Sequence, residues 1–422
     1  MSNRNAIIVL GYNNTRINDV KKIREKANKF FNAITILCKK YPTAEDEKAV
    51  DGVIDSGLDG TDENINVIAE KIKDLSLNVI AFLPFSDQGT QLAGALSKKF
   101  LDLRLPNAEK IKAALDKHFF RECEQRSQNT PTGYLKIRSQ KITEYEQLKA
   151  LHAELNGRVF LKPSKEGNSR GCFNLMGTTD LKNCWQQIEQ YIANGVVAEE
   201  LVLDAVEYSW DHVNDSSWIT EKKTSNNQYR TEFQHIVPAP LNEVTANSIV
   251  NAGKFIAELA GYNGGACHNE IFYFPASGNV AAVEPNLRPA GGRIWDLASL
   301  AFDDFDPWKE WMTWASGFEN SGKKALQQNY YAGIRKIQSL AKGILNFIPE
   351  KNLNNLLGDD VEIMDLVWTK KLGDVVTDIP KDNSDYIGYV IGRSKNYNTL
   401  SSWLENTCAS LQSAITIDVG TV

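Results

Sequence analysis

Short apolar runs alternate with longer amphipathic stretches along the first hundred residues. Residues 6–10 (AIIVL) precede Gly11, which is typical of a buried parallel strand that ends in a turn. The pattern predicts further strands over 34–38, 52–55 and 78–83, and helices over 18–33 and 64–75. This alternation predicts an N-terminal α/β domain, residues 1–108, with a doubly wound parallel sheet. No G-x-G-x-x-G follows the first strand, so the pattern does not support a dinucleotide site.

The rest of the chain is predicted to be α+β. Residues 109–195 form a small subdomain, 196–302 a larger core and 303–422 a small C-terminal unit. The predicted helices lie at 108–123, 181–193, 245–259, 331–345 and 400–415, and the predicted strands at 136–137, 158–162, 361–367 and 386–391. Residues 214–234 are polar without a clear period, so they are predicted to be a long loop that acts as a lid.

Composition and charge exclude some classes of protein. Of 422 residues, 42% are apolar and 24% charged, and the net charge of -6 argues against binding nucleic acid or an anionic membrane. No apolar run approaches the ~18–20 residues that span a bilayer. The six cysteines form no C-x-x-C pair, and the polar first residues lack a signal-peptide pattern. We therefore expect reduced thiols and a cytoplasmic protein.

Residues 159–174 (VFLKPSKEGNSRGCFN) predict a strand followed by a phosphate-binding turn. Small residues let the backbone approach a phosphate, and successive N–H groups can bind an anion. Lys162 would place a positive charge beside the phosphate oxygens. The small residues of this turn are Ser164, Gly167, Ser169 and Gly171. A plain hairpin turn with a solvated lysine is the alternative.

Two glutamates and an asparagine fall on adjacent predicted strands. Glu270 begins one strand, a Ser277–Asn279 turn follows, and Glu284 and Asn286 lie two residues apart on the next. Carboxylate and amide oxygens in an apolar setting suit a hard cation such as Mg²⁺. A buried Glu–Arg ion-pair cluster is the alternative, and a zinc site using Cys267 is a weaker one because its ligand set is incomplete.

The segment after these acids, Arg288 to Arg293 (RPAGGR), carries a second kind of candidate chemistry. Arg288 could stabilise a transferring phosphoryl group or hold a substrate carboxylate. Gly291 and Gly292 could offer N–H groups to an oxyanion. An ordinary strand-to-helix turn is the alternative.

Taken in order, these motifs resemble the ATP-grasp superfamily over residues 6–415. The four motifs are Asp116-Lys117, the turn from Lys162 to Gly171, Glu199–Asp211 (EELVLDAVEYSWD), and Glu270 with Glu284-Pro285-Asn286 and Arg288. Glu166 and Asn168 depart from the glycines that are frequent in this family's loop.

The resemblance implies roles for these residues. Lys117, Lys162 and Ser169 would bind the ATP phosphates. Glu200 would accept a hydrogen bond from the adenine amino group, and the backbone of Leu201, Val202 and Leu203 would contact the edge of the ring. Glu207 would bind the ribose. Glu270, Glu284 and Asn286 would hold two Mg²⁺ ions, with Mn²⁺ as an alternative ion. Lys222, Lys223 and Arg230 are candidates for a basic lid residue that reaches the phosphates.

Within the superfamily, the chain is similar to the L-amino-acid ligases. The features are His235–Pro240 (HIVPAP), His268 two residues before Glu270, and Arg288–Gly292. The resemblance implies ATP-dependent joining of a carboxylate to an amine, with amino acids as substrates and a dipeptide as product. Arg288, Lys162 and His268 would be catalytic, and His268, Arg288, Gly291 and Gly292 would contact substrate. Bicarbonate activation, as in biotin-dependent or purine-biosynthetic enzymes, and nucleotide binding without catalysis are the alternatives. A homodimer is one option for the assembly.

Overall fold

The first sheet consists of four parallel strands. A computed structural model describes residues 4–167, 171–177, 180–227, 229–318, 325–351, 358 and 360–420. The strands of this sheet are β1 (Arg4–Leu10), β2 (Ile34–Lys39), β3 (Gly52–Asp55) and β4 (Leu77–Pro84). They lie in the order β3-β2-β1-β4, and each neighbouring pair is parallel. The predicted parallel sheet is confirmed.

Helices cover both faces of this sheet. They are α1 (Ile17–Phe31), α2 (Ala44–Ala49), α3 (Asp62–Asp74) and α4 (Asp87–Leu96). Because side chains alternate along a strand, Ile7 and Val9 of β1 join the core on the α1 side, and Ile8 and Leu10 join the core formed with α3 and α4. The doubly wound arrangement is therefore confirmed, while α4 is a helix that the pattern analysis did not predict.

An antiparallel four-stranded sheet follows, in the order β5-β8-β6-β7. The elements of this region are α5 (Lys112–Leu115), α6 (Lys117–Arg126), β5 (Ser139–Ile142), α7 (Tyr145–Glu154), β6 (Arg158–Pro163), β7 (Phe173–Met176), α8 (Leu181–Ile188) and β8 (Val196–Glu200). Asp116 divides the predicted 108–123 helix, because its extended backbone and side chain cap the start of α6.

Two further predictions in this region are wrong in detail. No strand lies at 136–137, since the strand that pairs with β8 begins at Ser139. The predicted 181–193 helix is α-helical only to Ile188 and continues as a tighter 3-10 helix over Glu189–Asn194. Both errors concern element boundaries, which depend on partner strands and packing.

An antiparallel, eight-stranded sheet dominates the rest of the molecule. Its order is β13-β12-β9-β10-β11-β14-β18-β16. Other strands of the C-terminal region form a separate three-stranded sheet in the order β17-β15-β19. The elements are β9 (Val206–Val213), β10 (Ser216–Thr224), β11 (Glu232–Val237), α9 (Glu243–Leu259), β12 (Ala266–Phe274), β13 (Asn279–Glu284), α10 (Ile294–Ala301), α11 (Pro307–Ala315), β14 (Tyr331–Ile337), β15 (Gly343–Phe347), β16 (Glu362–Trp368), β17 (Val375–Val376), β18 (Gly388–Ser394), α12 (Tyr397–Ala414) and β19 (Thr416–Asp418). The predicted helix at 245–259 is confirmed as α9.

The predicted long loop at 214–234 is wrong. Strands β10 and β11 pair antiparallel across most of it. The segment has no apolar period because several polar side chains, such as Thr220 and Lys222, are buried against other polar groups of the sheet. Of the described residues in this segment, 225–227 and 229–231, between the two strands, remain as a candidate lid.

The predicted helix at 331–345 is also wrong. Residues Tyr331–Ile337 form β14, which lies between β11 and β18, and a turn then leads to β15. A Cβ on Gly333 would lie 2.7 Å from Leu404 of α12, so the close approach of α12 depends on this glycine. The C-terminal strands β14, β16 and β18 thus continue the large sheet. The boundaries at 108, 195 and 302 stay predictions.

The two faces of the large sheet differ in character. Tyr208, Trp210 and Ile271 pack against α9 in an apolar core. The other face carries charged groups and forms one wall of a cavity. No helix among the described residues combines the length and apolarity that a membrane span requires.

Candidate functional site

A cavity of about 210 Å³ lies between the small antiparallel sheet and the polar face of the large one. Most of the residues predicted for the site line it. They are Lys117, Lys162, Glu200, Leu201, Val202, Glu207, His268, Glu270, Glu284, Arg288, Gly291 and Gly292. Leu203 does not line it, Asn286 lines a small adjoining cavity, and Ser169 lies outside the described residues. Residues separated by up to about 175 positions therefore meet at one place.

Strand register explains why the charged groups share one face. Residues directly opposite each other on neighbouring strands project to the same side of a sheet. The aligned pairs are Glu207 with Lys222, Asp211 with His268, Ser209 with Glu270, and Glu270 with Glu284. The predicted hairpin between Glu270 and Glu284 is therefore confirmed, and the same register adds Lys222 and Asp211 to the group.

The paired glutamates have different cationic partners. Glu284 lies 3.1 Å from the Nζ of Lys117, and its Oε1 accepts a hydrogen bond from Asn286 at 3.4 Å. The Nη2 of Arg288 donates to the Oδ1 of Asn286 at 3.0 Å. Because like charges directly opposite on a sheet repel, two such carboxylates require nearby positive charge. The arrangement forms a continuous run of polar groups from Lys117 to Arg288.

Glu270 belongs to a second charge cluster. The Nζ of Lys222 lies 2.6 Å from Glu270, 2.6 Å from Glu207 and 2.5 Å from Glu232, and its side chain is fully buried. Burial would raise the pKa of Glu270, but Lys222 and His268 outweigh burial and hold it at about 2. Of the three basic candidates, Lys222 is thus fixed among carboxylates, while Arg230, between β10 and β11, lines the cavity.

His268 is held in one orientation by a buried carboxylate. Its Nδ1 lies 2.8 Å from the Oδ1 of Asp211, and its Nε2 lies 3.3 Å from the Oε1 of Glu270. The Oδ2 of Asp211 accepts hydrogen bonds from Ser209 at 2.7 Å and Thr220 at 2.8 Å. Burial would lower the pKa of His268, but the two carboxylates raise it to about 9.

The opposite wall carries the two predicted phosphate lysines. Lys162 on β6 is 4% exposed, and its Nζ lies 2.8 Å from the Oε2 of Glu199. Lys117, the first residue of α6, donates from Nζ to the backbone oxygen of Glu166 at 2.7 Å. Its own backbone N–H donates to the oxygen of Ser164, so the start of the predicted phosphate turn is bonded to α6.

Arg288 connects the cavity to the N-terminal sheet. Its Nε donates to the Oδ1 of Asp87 at 2.7 Å, and Asp87 is the first residue of α4, just beyond β4. Gly292 has a φ of 58°, and a Cβ there would lie 2.4 Å from the His235 ring. A side chain at position 292 would thus be strained and would collide with His235. This glycine lets the backbone after Arg288 turn beside the cavity.

Pattern reasoning missed several residues that line the cavity. Glu199, rather than its neighbour Glu200, turns its carboxylate into the buried interior, whereas Glu200 is exposed. The alternation of faces along β8 was a signal that could have identified Glu199. The remaining ones come from helix α6, from strand β11 and from separate loops, and no local pattern links them to the site. They include Arg121, Thr231, Glu232, Asp382 and Asn383.

No protein-family profile matches the sequence, and no curated protein matches it. Solved structures do match. An L-amino acid ligase from Bacillus licheniformis has a TM-score of 0.78 at 16% identity, with 100% of each chain covered. A phosphoribosylglycinamide synthetase from Anaerococcus prevotii has a TM-score of 0.66 at 16% identity, covering 99% of this chain and 100% of that one.

An N5-carboxyaminoimidazole synthetase from Staphylococcus aureus, complexed with ADP, has a TM-score of 0.68 at 14% identity and covers 96% of this chain and 97% of that one. These matched structures are ATP-grasp enzymes. Identities this low establish architecture only. Within that limit, the fold expected from the four ordered motifs is confirmed, and the chain has the ATP-grasp fold.

Proposed function

We propose that the protein is an ATP-dependent carboxylate–amine ligase that forms an amide bond through an acyl phosphate and releases ADP and phosphate. The observation that carries this proposal is a single cavity with two lysines on one wall and a facing pair of glutamates on the other. Where both substrates are amino acids, the product is a dipeptide. The fold shared with an L-amino acid ligase supports this choice within the ATP-grasp enzymes.

The nucleotide would lie along the small sheet. The backbone of Leu201 and Val202 would contact adenine, Glu207 the ribose hydroxyls, and Lys117 and Lys162 the phosphates. A backbone segment offers a donor and an acceptor to the ring, and a carboxylate accepts hydrogen bonds from hydroxyls. The cavity lining supports this placement because all five of these residues line the same cavity as the glutamate pair.

The donor set fits a divalent cation. Glu270, Glu284 and Asn286 offer carboxylate and amide oxygens, which Mg²⁺ prefers, and Mn²⁺ would accept the same ligands. We propose that these residues hold two ions. When bound, such ions neutralise charge on the β- and γ-phosphates. The strand register supports the fit because it places the two glutamates opposite each other on one face of the sheet, and both side chains are partly buried beside polar groups.

The proposed reaction has two steps. An oxygen of the substrate carboxylate attacks the γ-phosphorus, and the bond to the ADP oxygen breaks. Lys117, Lys162 and Arg288 would spread the negative charge that develops. The amine nitrogen then attacks the acyl carbon, the carbon–oxygen bond to phosphate breaks, and the amine loses a proton. His268 and the turn at Gly291 and Gly292 would contact the substrates.

The proposal is tested by a screen of phosphate release over pairs of amino acids, with product mass measured. We expect ADP and phosphate only when a carboxylate and an amine are both present, and a product mass equal to their sum less one water. Release that depends on bicarbonate would favour the alternative ATP-grasp reaction. No release with any mixture would favour a nucleotide-binding protein without catalysis.

Replacing Asp211 with asparagine tests the role of His268. The variant keeps the shape of the side chain but can turn its amide nitrogen toward Nδ1, so the ring loses its fixed orientation. We expect the kcat for ADP release to fall about 10- to 100-fold, as for other residues that orient a site ligand. The KM for ATP should change little. Ser209→Ala is the matched control, because it removes one hydrogen-bond donor to Asp211 but leaves the bond between Asp211 and His268. An equal kcat in both variants would contradict the role of Asp211 in orienting His268.

A further inference from the structure

Arg121 is a buried guanidinium in the floor of the cavity. It lies on α6 and is 1% exposed. Its Nε donates to the Oε1 of Glu199 at 2.8 Å and its Nη2 to the Oε2 at 3.3 Å. Its Nη1 donates to both carboxylate oxygens of Glu124, at 3.2 and 3.0 Å. Two buried carboxylates therefore surround one permanently charged group.

Through Glu199, Arg121 is connected to Lys162, one of the two lysines predicted to bind phosphate. Glu199 lies between Arg121 and Lys162, whose Nζ is 2.8 Å from the Glu199 Oε2. Burial alone would raise the pKa of Glu199, but Arg121 and Lys162 hold it at about 2. The carboxylate is thus an anionic bridge, and the guanidinium fixes its plane by contacts to both oxygens.

On the other side, Arg121 reaches the strand that carries Glu284. Its Nη2 also donates to the backbone oxygens of Ala282 at 2.9 Å and Val283 at 3.2 Å. These residues immediately precede Glu284 on β13, the edge strand of the large sheet. A side chain that bonds to the backbone of this edge strand restrains the position of the glutamate that follows it.

We propose that Arg121 is a positioning residue that sets the separation between the Lys162 ammonium and the Glu284 carboxylate across the two sheets. This inference rests on the proposed function, since it assigns those groups to the phosphates and the metal. Arginine suits the task because its planar fork has five donors, whereas lysine has three donors on one atom. Lysine cannot bond to Glu199, Glu124 and the two carbonyls at once.

The test compares Arg121→Lys with Glu124→Gln. Lysine keeps the positive charge, so the buried glutamates are not left uncompensated. We expect the KM for ATP and the Mg²⁺ concentration at half-maximal rate each to rise about tenfold in Arg121→Lys, with the KM for the amine unchanged. Glu124→Gln disturbs the same guanidinium on the side away from the cavity. It should lower the melting temperature without moving either constant.

A second variant tests the contact of Arg121 toward Lys162 separately from its contact toward Glu284. Glu199→Gln removes the charge that Arg121 and Lys162 share but leaves the Arg121 bonds to the Ala282 and Val283 carbonyls, so we expect a raised KM for ATP and an unchanged Mg²⁺ requirement. Binding of Mg-ADP, measured by calorimetry, provides a readout that does not depend on turnover if Arg121→Lys folds poorly. The positioning role would be overturned if Arg121→Lys and Glu124→Gln had equal effects. It would also be overturned if Arg121→Lys lowered the melting temperature but left the KM for ATP and the Mg²⁺ requirement unchanged. A wild-type protein that binds Mg-ADP but forms no ADP from ATP would instead contradict the proposed function.

Discussion

Replacement of Glu284 by alanine is expected to abolish ADP formation while leaving the fold intact. Glu284 faces Glu270 across the hairpin and contacts Lys117, so it lies where the proposed metal and phosphate groups meet. Metal-assisted stabilisation of phosphoryl transfer contributes several kcal/mol. At ~1.4 kcal/mol per factor of ten, its loss should lower kcat by roughly 10³-fold or more. Steady-state ADP release at saturating ATP and Mg²⁺ measures this effect.

The fold should tolerate the change because Glu284 is partly exposed, and Lys117 keeps its bond to the Glu166 carbonyl. Glu362→Ala is the matched control. Glu362 lies on β16 of the same large sheet, pairs with Arg393 at 2.6 Å and does not line the cavity. The control should retain full activity. Undiminished turnover in Glu284→Ala, with melting temperatures that match, would remove the metal assignment.

The sequence was sufficient for elements whose stability is largely local. The AIIVL run of β1 is apolar on both faces, which predicts a strand covered on each side. Helix α9 repeats apolar residues at helical spacing, and Asn242 caps its start. In both cases, the residues that determine the element lie within it.

Predictions failed where stability comes from distant partners. Tyr331–Ile337 has apolar residues three apart, which also fits a helix, but β11 and β18 supply its hydrogen bonds. The polar residues of β10 gave no apolar period because Lys222 is compensated by carboxylates from three other strands. Such partners become visible only once the strands are aligned.

The candidate site likewise contains residues that local sequence patterns predict and residues that only long-range contacts bring into place. Glu270, Glu284 and Arg288 fall within a short stretch of sequence, so spacing alone indicates a shared face. Arg121 gives no such signal, because it lies in a helix whose contacts with Glu199 and β13 span 78 and 161 positions. Side chains that orient a site through long-range contacts are therefore the part that local pattern reasoning misses.

Lys162→Ala is expected to raise the KM for ATP strongly with little change in stability. The ammonium lies in the cavity wall and is almost fully buried, so it would interact with a phosphate in a setting that water screens poorly. Truncating one partner of such a pair costs about 2 kcal/mol or more, which corresponds to roughly a 30-fold rise in KM. Glu199 keeps both contacts to Arg121, so the variant does not leave a buried carboxylate without a partner. Lys141→Ala on β5 of the same sheet is the control, because that lysine is exposed. An unchanged KM for ATP in Lys162→Ala, with calorimetric ADP affinity equal to that of Lys141→Ala, would mean that this lysine only neutralises Glu199.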